Sequence, residues 1–379
     1  NLELLKAHNA ESYLQRRWEM ANMAGADSYK KIRGLTNWIM GLTTAIQQLV
    51  TVVMVVGGVY MIHANQLTLG GLIASVILTG RAIAPLGSIM SLASRYQQAV
   101  SALETLDGLM SRPSDRQKGR QYIVPDRFYG KLTADAVEFA YPVEGANRVL
   151  KNVSVKIAPG EHLGLLGKIG SGKSTFLRLL SGLYCPTQGV IKVDDVDLRQ
   201  IDPDALRANI GYVGQDPQLF RGTLRENLKL SDQTIRDDQL VDILKRLDLY
   251  DLIESHPLGL NMPLTEAGGG LSGGQRQLIA IARMMLRNPV YVFMDEPTSN
   301  MDKSTEMRVI EVLKPWIEGR TLILATHRLE LLFLTERVAV FDRGVCLADG
   351  TREDIMQQLA RGEQIARKRN QIESRFDNT

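Results

Sequence analysis

Two long apolar stretches near the start of the chain set its first part apart from the rest. Residues 34 to 80 contain no Asp, Glu, Lys or Arg, and the apolar stretches Trp38–Ile62 and Leu69–Leu86 are joined by the polar turn 63–66. As a helix, each stretch is long enough to cross a hydrocarbon core of about 30 Å. The pattern therefore predicts membrane spans at about 38–62 and 67–86. A helical hairpin buried in a soluble protein is the alternative.

The charges that flank these stretches predict their orientation. Lys30, Lys31 and Arg33 precede the pair and Arg95 follows it, whereas the turn carries no formal charge. Positive residues stay on the cytoplasmic side of a membrane, so both ends of the pair are expected there and the turn is expected outside. Arg81 lies within the second stretch, toward its cytoplasmic end. It either extends to water or belongs to a transport path.

The remaining pattern divides the chain into domains. Residues 1–33 are predicted to form a cytoplasmic helical segment and residues 87–110 a cytoplasmic extension of the second span. Residues 111–130 have a linker composition, charged and interrupted by Pro113. From 131 to 379, short apolar runs alternate with helical patterns. This alternation predicts an α/β domain with a mostly parallel sheet, a helix-rich insertion between Gln215 and Arg287, and a C-terminal helix.

A glycine-rich loop in the α/β domain carries the strongest chemical signal. Residues 167–175 read GKIGSGKST, directly after the apolar run His162–Leu166 and before a helical pattern, and they fit the P-loop pattern G-x-x-x-x-G-K-[ST]. In such a loop backbone amides bind phosphate oxygens, Lys173 reaches the β and γ phosphates, and Ser174 supplies a hydroxyl to Mg²⁺. The nucleotide-binding residues predicted here are Gly167, Gly170, Ser171, Gly172, Lys173, Ser174 and Thr175.

An acidic pair after a second apolar strand supplies the other half of the site. The run Val290–Met294 ends in Asp295 and Glu296. Asp295 is predicted to hold Mg²⁺ because this hydrated cation takes carboxylate oxygen. Glu296, one residue further, is predicted to act as the general base toward the attacking water.

Composition removes several other functions. The chain of 379 residues has a formal net charge of +3 and 23% charged residues, which excludes a polybasic arm for nucleic acid. Cys185 and Cys346 are its two cysteines, too few for a disulfide framework or a zinc knuckle. No nucleic-acid partner is expected.

The ordered motifs resemble the ATP-binding cassette (ABC) family. The string Leu271-Ser272-Gly273-Gly274-Gln275 matches the signature motif of that family. Four further motifs follow the same order: an aromatic residue that stacks on adenine, the Q-loop, the D-loop aspartate and the switch histidine. Their matching residues are Tyr141, Gln215, Asp302 and His327.

This resemblance implies a composite site between two cassettes arranged head to tail. Ser272, Gly273, Gly274 and Gln275 of one cassette would face the ATP held by Lys173 of the other. The catalytic residues implied are Lys173, Gln215, Glu296 and His327. The cofactors implied are ATP and Mg²⁺, and the metal-binding residues implied are Ser174, Gln215 and Asp295.

Spans followed by a cassette on one chain resemble an exporter half-transporter of the bacterial inner membrane, working as a homodimer. The segment Leu5–Trp18 resembles a coupling helix, and Glu266 lies where exporters carry the X-loop acid. Exporters of this family have six spans per half, so we expect the chain, which also lacks an initiating Met, to be the C-terminal part of a longer one.

The P-loop interior, Met301 and residues 198–203 look most like type I secretion ATPases, which export unfolded proteins with a periplasmic adaptor and an outer-membrane channel. An exporter of lipid, peptide or small molecules is the alternative. A soluble ABC ATPase without transport is the alternative from a different class.

Overall fold

The computed structural model describes residues 2–112, 114–116, 119–143, 145, 147–230, 232–265 and 268–361, with side chains except at 2–4, 83–91, 93, 94 and 361. These residues form two compact units, Asn1–Pro113 and Ser114–Thr379. Glu266 and the expected C-terminal helix beyond residue 361 lie outside the described residues.

The first unit consists of three helices. They are α1 (Leu2–Ala7), α2 (Glu11–His63) and α3 (Leu69–Met110). The helix expected over Leu5–Trp18 is not continuous: α1 ends at Ala7, Asn9 has a left-handed φ of 49°, and α2 begins at Glu11. Asn tolerates this conformation better than most residues, which allows the chain to turn here without glycine or proline. From Glu11 onward the polar segment and the first apolar stretch form one helix.

Helices α2 and α3 pack at their connected ends. Leu72 is buried against Gly58, where an added Cβ would come within 2.2 Å of the leucine Cδ1. Thr68 caps α3, its hydroxyl accepting the Gly71 N–H at 3.1 Å. Within α2 the hydroxyls of Thr43 and Thr44 donate to carbonyls of their own helix at 2.9 Å.

One helix in the described part of the chain, Glu11–His63, is long and apolar enough to cross a membrane. Its most apolar window has a mean hydropathy of 1.9 and is only 6% buried. The first part of α3, Leu69–Ala82, is a shorter apolar helix.

The described residues of the second unit form three sheets. The first is antiparallel, in the order β2-β1-β4-β5, and the second has the order β12-β11-β3-β10-β9-β6, parallel except for the edge strand β12. The third pairs β7 with β8. The strands are β1 (Leu132–Phe139), β2 (Leu150–Ile157), β3 (His162–Leu166), β4 (Gln188–Val193), β5 (Val196–Asp197), β6 (Ile210–Val213), β7 (Gly222–Thr223), β8 (Pro263–Leu264), β9 (Tyr291–Asp295), β10 (Thr321–Thr326), β11 (Arg337–Asp342) and β12 (Val345–Thr351).

Helices cover the six-stranded sheet and fill the predicted insertion. The α-helices of this unit are α4 (Lys173–Leu180), α5 (Pro203–Ala208), α6 (Leu224–Leu228), α7 (Asp237–Arg246), α8 (Tyr250–Glu254), α9 (Gly273–Leu286), α10 (Lys303–Ile317) and α11 (Arg352–Arg361). Short 3₁₀ turns lie at Leu198–Gln200, Gly259–Asn261 and Glu330–Leu334. The insertion between Gln215 and Arg287 contains α6 to α9, in agreement with its helical pattern.

Alternation along the central strands places two cores on opposite faces of the six-stranded sheet. Along β9, Tyr291 and Phe293 pack with α4 and the antiparallel sheet, whereas Val292 and Met294 pack with α9 and α10. Successive side chains of a strand point to opposite faces, so a run buried on both faces must be wholly apolar. This explains why β9 and β10 read as continuous apolar runs in the sequence.

Part of the segment with linker composition packs on the α/β unit. Ile123 exchanges backbone hydrogen bonds of 2.8 Å with Gln200 and Asp202, and Phe128 is buried with its ring edge-on to Tyr291. The segment predicted as a linker over 111–130 thus contacts the α/β unit at Ile123 and Phe128. Of its apolar residues, Phe128 joins the core, whereas Ile123, Val124 and Tyr129 are exposed.

Candidate functional site

The predicted catalytic residues meet at one edge of the six-stranded sheet. The P-loop follows β3, Asp295 ends β9, and His327 follows β10 directly. These three strands are parallel neighbours, with β10 between β3 and β9. Because the carboxyl ends of parallel strands lie on the same edge, the sheet brings together residues that are more than a hundred positions apart in sequence.

Glycines shape the loop between β3 and α4. Gly170 and Gly172 have φ angles of 81° and 102°, in the left-handed region that glycine adopts at little cost. At Gly167 an added Cβ would come within 2.2 Å of the Phe341 carbonyl oxygen. The loop ends at the N-terminus of α4, whose free N–H groups favour an anion.

Lys173 is held inside this loop. Its ammonium donates to the carbonyl oxygens of Gly167 at 2.7 Å and Lys168 at 3.0 Å, and only 6% of the residue is exposed. Burial lowers its pKa, while Glu296 and Asp295 act in the opposite direction. The side chain thus places positive charge beside the amides that would bind phosphate.

Ser174 and Asp295 supply two oxygens of the type that Mg²⁺ prefers. The Ser174 hydroxyl donates to Oδ1 of Asp295 at 2.9 Å. Burial raises the pKa of Asp295, partly offset by the bond from Ser174. A hydroxyl and a carboxylate at this separation fit a hydrated Mg²⁺ that binds few protein groups.

Glu296 and His327 form a close pair. Glu296 Oε1 lies 2.7 Å from Nδ1 of His327, and the two side chains are 9% and 54% exposed. The other carboxylate oxygen, Oε2, is buried without a hydrogen-bond partner in the described part of the chain, as is Oγ of Ser171. Buried polar atoms are normally paired, so these two oxygens are suited to a water or phosphate ligand. The residues present therefore fit ATP and Mg²⁺.

Tyr141 lies beside the first turn of α4. Its hydroxyl is 3.1 Å from Oγ1 of Thr175 and accepts a bond from Arg178 at 3.2 Å. Its ring packs edge-on against Phe139 and Tyr184, with centroids 5.0 and 5.5 Å away. The predicted adenine-stacking residue is thus fixed next to the P-loop.

The signature residues begin α9. Ser272 is exposed and caps this helix: its hydroxyl accepts the Gln275 N–H at 3.1 Å, and its own N–H donates to Oε1 of Gln275 at 2.9 Å. An added Cβ at Gly273 or Gly274 would come within 3.0 or 3.1 Å of Asn300. Small residues here let the loop after β9 pack against the start of α9.

Two other predicted residues occupy different positions in the site. Gln215 is exposed in the loop after β6, and its backbone carbonyl accepts a bond of 3.3 Å from Gln277. Asp302 caps α10 through the amides of Ser304 and Thr305. The hydrogen bond from the Ser304 hydroxyl, together with those from Thr305, lowers the pKa of Asp302.

The sequence motifs did not identify several residues that contact the site. Arg178 could have been found, because it follows Thr175 by three positions on one face of a helix. Gln277, Glu306 and Arg328 have no local pattern that distinguishes them. Their contacts depend on which loops pack together.

Comparisons with known proteins agree with this geometry. Residues 150–299 match the model of the family described as ABC transporter. The leukotoxin translocation ATP-binding protein LktB of Mannheimia haemolytica is 33% identical over 312 residues, covering 82% of this chain and 44% of that protein. LktB of Bibersteinia trehalosi matches equally well. The chain thus spans less than half the length of these relatives.

A solved structure extends the likeness to both units. The structure described as a bacterial Atm1-family ABC exporter with ATP bound covers 98% of this chain and 65% of that chain, with 27% identity and a TM-score of 0.86. The fold and the site define a P-loop ATPase domain of the ATP-binding cassette type. The chain as a whole is similar in sequence and fold to ABC exporters.

Proposed function

We propose that this chain is the C-terminal part of a transporter in the bacterial inner membrane that uses ATP hydrolysis for export. Two copies would associate head to tail through cassettes and spans, each completing the ATP site of the other. The match of residues 150–299 to the ABC transporter family, the similarity to LktB, and the set of P-loop, acidic pair, signature and switch histidine support this proposal.

Each site residue has a separate proposed role in ATP hydrolysis. Lys173 and the P-loop amides bind the phosphates and stabilise negative charge as it spreads in the transition state. Ser174 and Asp295, with Gln215 as a further proposed ligand, would hold Mg²⁺, which would supply positive charge next to the phosphates. Glu296 orients and polarises the attacking water, and His327 holds both the Glu296 carboxylate and the γ-phosphate.

Ser272 would complete this site from the partner copy. Its oxygen accepts a hydrogen bond from the Gln275 amide, which leaves the hydroxyl proton free to donate to a γ-phosphate. The helix N-terminus that it caps adds positive potential on the same side. Asp302 and the loop that contains it are proposed to lie at the same interface.

The placement of Glu296 is the observation that carries the proposal. Its side chain is nearly buried, and its backbone N–H is bound to the Ala325 carbonyl at 2.9 Å. One carboxylate oxygen is held by His327, while the other has no partner among the residues that the structure describes. A carboxylate with one fixed and one unpaired oxygen, next to a phosphate-binding loop, is suited to a general base.

The decisive experiment compares ATP turnover of the transporter with that of Glu296→Gln. We expect the variant to turn over about 100- to 10,000-fold more slowly while ATP still binds. Glu311→Gln is the matched control, because Glu311 is exposed on α10. Near-normal turnover of Glu296→Gln would remove Glu296 from this role.

An unfolded protein is the proposed cargo, with a periplasmic adaptor and an outer-membrane channel as partners. This rests on the similarity of the chain to the leukotoxin translocation ATP-binding proteins of Mannheimia haemolytica and Bibersteinia trehalosi. Comparing the culture medium of cells with the wild type and with Glu296→Gln by mass spectrometry tests it. A large protein missing only from the variant is the expected result, and an unchanged protein profile would favour a lipid, peptide or small-molecule cargo.

Membrane insertion has its own test. The apolar and largely unburied helix α2 supports it. We expect the protein to stay in the membrane fraction after alkaline carbonate extraction. Release without detergent would instead support a soluble ABC ATPase.

A further inference from the structure

One fully buried polar side chain lies where the signature helix, the loop after β6 and the loop after β9 meet. Gln277 is the fifth residue of α9 and has no exposed surface. It lies just outside the five-residue signature motif, and the proposed hydrolysis does not use it. Burying a side-chain amide is unfavourable unless its hydrogen bonds are made, so its partners identify what the residue holds.

Those partners lie on two different segments, the loop after β6 and the loop after β9. The Gln277 amide nitrogen is 2.7 Å from Oγ of Ser299, 3.3 Å from the Gln215 carbonyl oxygen and 3.4 Å from the Glu296 carbonyl oxygen. Its two hydrogens are shared among these three acceptors. The Gln277 carbonyl oxygen accepts the backbone N–H of Asn300 at 3.0 Å.

The backbone at Glu296 needs such support. Glu296 has a left-handed φ of 49°, which is unfavourable for a residue with a side chain and persists only where the surroundings impose it. Its N–H is bound to Ala325 on β10, and its carbonyl accepts the Ser299 N–H at 3.1 Å as well as the bond from Gln277. The direction of the Glu296 side chain follows from this held turn.

We infer that Gln277 is a positioning residue that fixes the loop 296–300 against the signature helix, so that Glu296 faces the bound nucleotide. The same amide binds the Gln215 carbonyl in the loop after β6. A displacement of the signature helix would therefore move the loop after β6 and the loop after β9 together, through the Gln277 side chain. Gln277 touches neither ATP nor water in this role. The inference rests on the proposed role of Glu296.

The first test removes the amide and keeps the volume. In Gln277→Met the Asn300 N–H loses its acceptor, so backbone hydrogen exchange over residues 296–301 should be faster than in the wild type, while β10 exchanges unchanged. A displacement of about 1 Å at a catalytic group can cost about 100-fold in rate. We expect turnover to fall about 10- to 100-fold, with the ATP dissociation constant changed less than about threefold.

A second variant tests the hydrogen bonds that the Gln277 amide donates. Gln277→Glu keeps the acceptor for Asn300, but when ionised it directs a charged oxygen at the carbonyls of Gln215 and Glu296. A protonated carboxyl donates one hydrogen bond, and burial favours the protonated form. The turnover of this variant relative to the wild type should therefore rise as the pH is lowered from about 8 to about 6.

The controls make each outcome decisive. Gln239→Met changes an exposed glutamine on α7 and should alter neither exchange over 296–301 nor turnover. If Gln277→Met leaves both at wild-type values, the positioning role is wrong. If that variant fails to fold, the turnover of Gln277→Glu relative to the wild type decides instead. A relative turnover that does not change between about pH 8 and about pH 6 contradicts the inference. If exchange rises but Glu296→Gln retains normal turnover, the contacts stand and the proposed role of Glu296 fails.

Discussion

Glu296 Oε1 and His327 Nδ1 are 2.7 Å apart, which makes a charge-assisted hydrogen bond between the ends of two neighbouring strands. If the two side chains act as one unit on the attacking water, the effects of their removal should not add. We expect His327→Ala to lower turnover by about 100-fold or more. The double variant with Glu296→Gln should be little slower than the slower single variant.

The cycle is measured as steady-state ATP turnover at saturating ATP and Mg²⁺. His256→Ala is a suitable control, because the ring of His256 only accepts the Leu258 N–H in a turn of the insertion. Effects of the two single variants that multiply in the double variant would show that Glu296 and His327 act independently.

Ser272 and Thr223 have the same local role and, as we propose, different functional ones. Each begins a helix with a reciprocal capping box, Ser272 with Gln275 and Thr223 with Glu226. Loss of such a cap costs about 1 kcal/mol. Ser272→Ala and Thr223→Ala should therefore destabilise the cassette equally, but only Ser272→Ala should also lower turnover, by about 10-fold or more.

Stability is followed by the fluorescence of Trp316 in urea, after Trp18 and Trp38 have been replaced by Phe. Equal turnover in the two variants would contradict a role for the Ser272 hydroxyl in the partner's ATP site.

The buried carboxylate of Asp295 predicts a pH-dependent stability of the nucleotide-free protein. Burial raises the pKa of Asp295 in the folded state. At pH values between the ordinary Asp pKa of about 4 and this raised pKa, the folded state therefore binds the proton more tightly than the unfolded state does. The free energy of unfolding should then fall as the pH rises through that window. Asp295→Asn removes this contribution, keeps an acceptor for Ser174, and should be more stable than the wild type at neutral pH.

Urea unfolding at a series of pH values measures the difference between the two proteins, which should vanish below the window. Asp242→Asn, at an exposed position on α7, should show no such difference. Turnover with Mg²⁺ should be lost in Asp295→Asn. A variant no more stable than the wild type at neutral pH would show that the Asp295 carboxylate is not penalised by burial.

The sequence pattern best predicts the position of residues that lie at or just after the end of a strand. Lys173, Asp295 and His327 each follow a continuous apolar run, and the parallel order of β3, β10 and β9 then brings them together without further information. Gln277 and Glu306 could not be found this way. A buried polar residue within a helix looks like an exposed one until the packing of distant loops is known.

The break between α1 and α2 and the packing of the segment 111–130 were also not predicted from the sequence. The turn at Asn9 depends on a single left-handed residue, with no glycine or proline to indicate it. Phe128 lies in a polar segment, but one aromatic residue was enough to anchor that segment on Tyr291. In both cases one residue in a weak pattern determines the local structure.

The ion pair between Arg328 and Glu306 provides the last prediction. Arg328 Nη1 lies 3.0 Å from Oε2 of Glu306, whose other oxygen accepts the Thr298 hydroxyl at 2.6 Å, and Arg328 Nη2 reaches the Ser299 carbonyl at 3.3 Å. The pair thus joins α10 to the loop after β9 and to the residue that follows His327. The Glu306 side chain is only 4% exposed, whereas that of Arg328 is 26% exposed.

This difference in burial predicts an asymmetry. Arg328→Met leaves a buried carboxylate without its counter-ion, which costs about 3 to 5 kcal/mol. Glu306→Gln leaves a guanidinium that can turn to water and should cost less, and Arg328→Met combined with Glu306→Gln should recover part of the loss. Arg308→Met is the matched control, because its ion pair with Asp248 is exposed on both sides and should be worth about 1 kcal/mol or less. Urea unfolding of the four variants tests the order, and equal costs for Arg328→Met and Arg308→Met would show that the buried pair contributes no more than a surface pair.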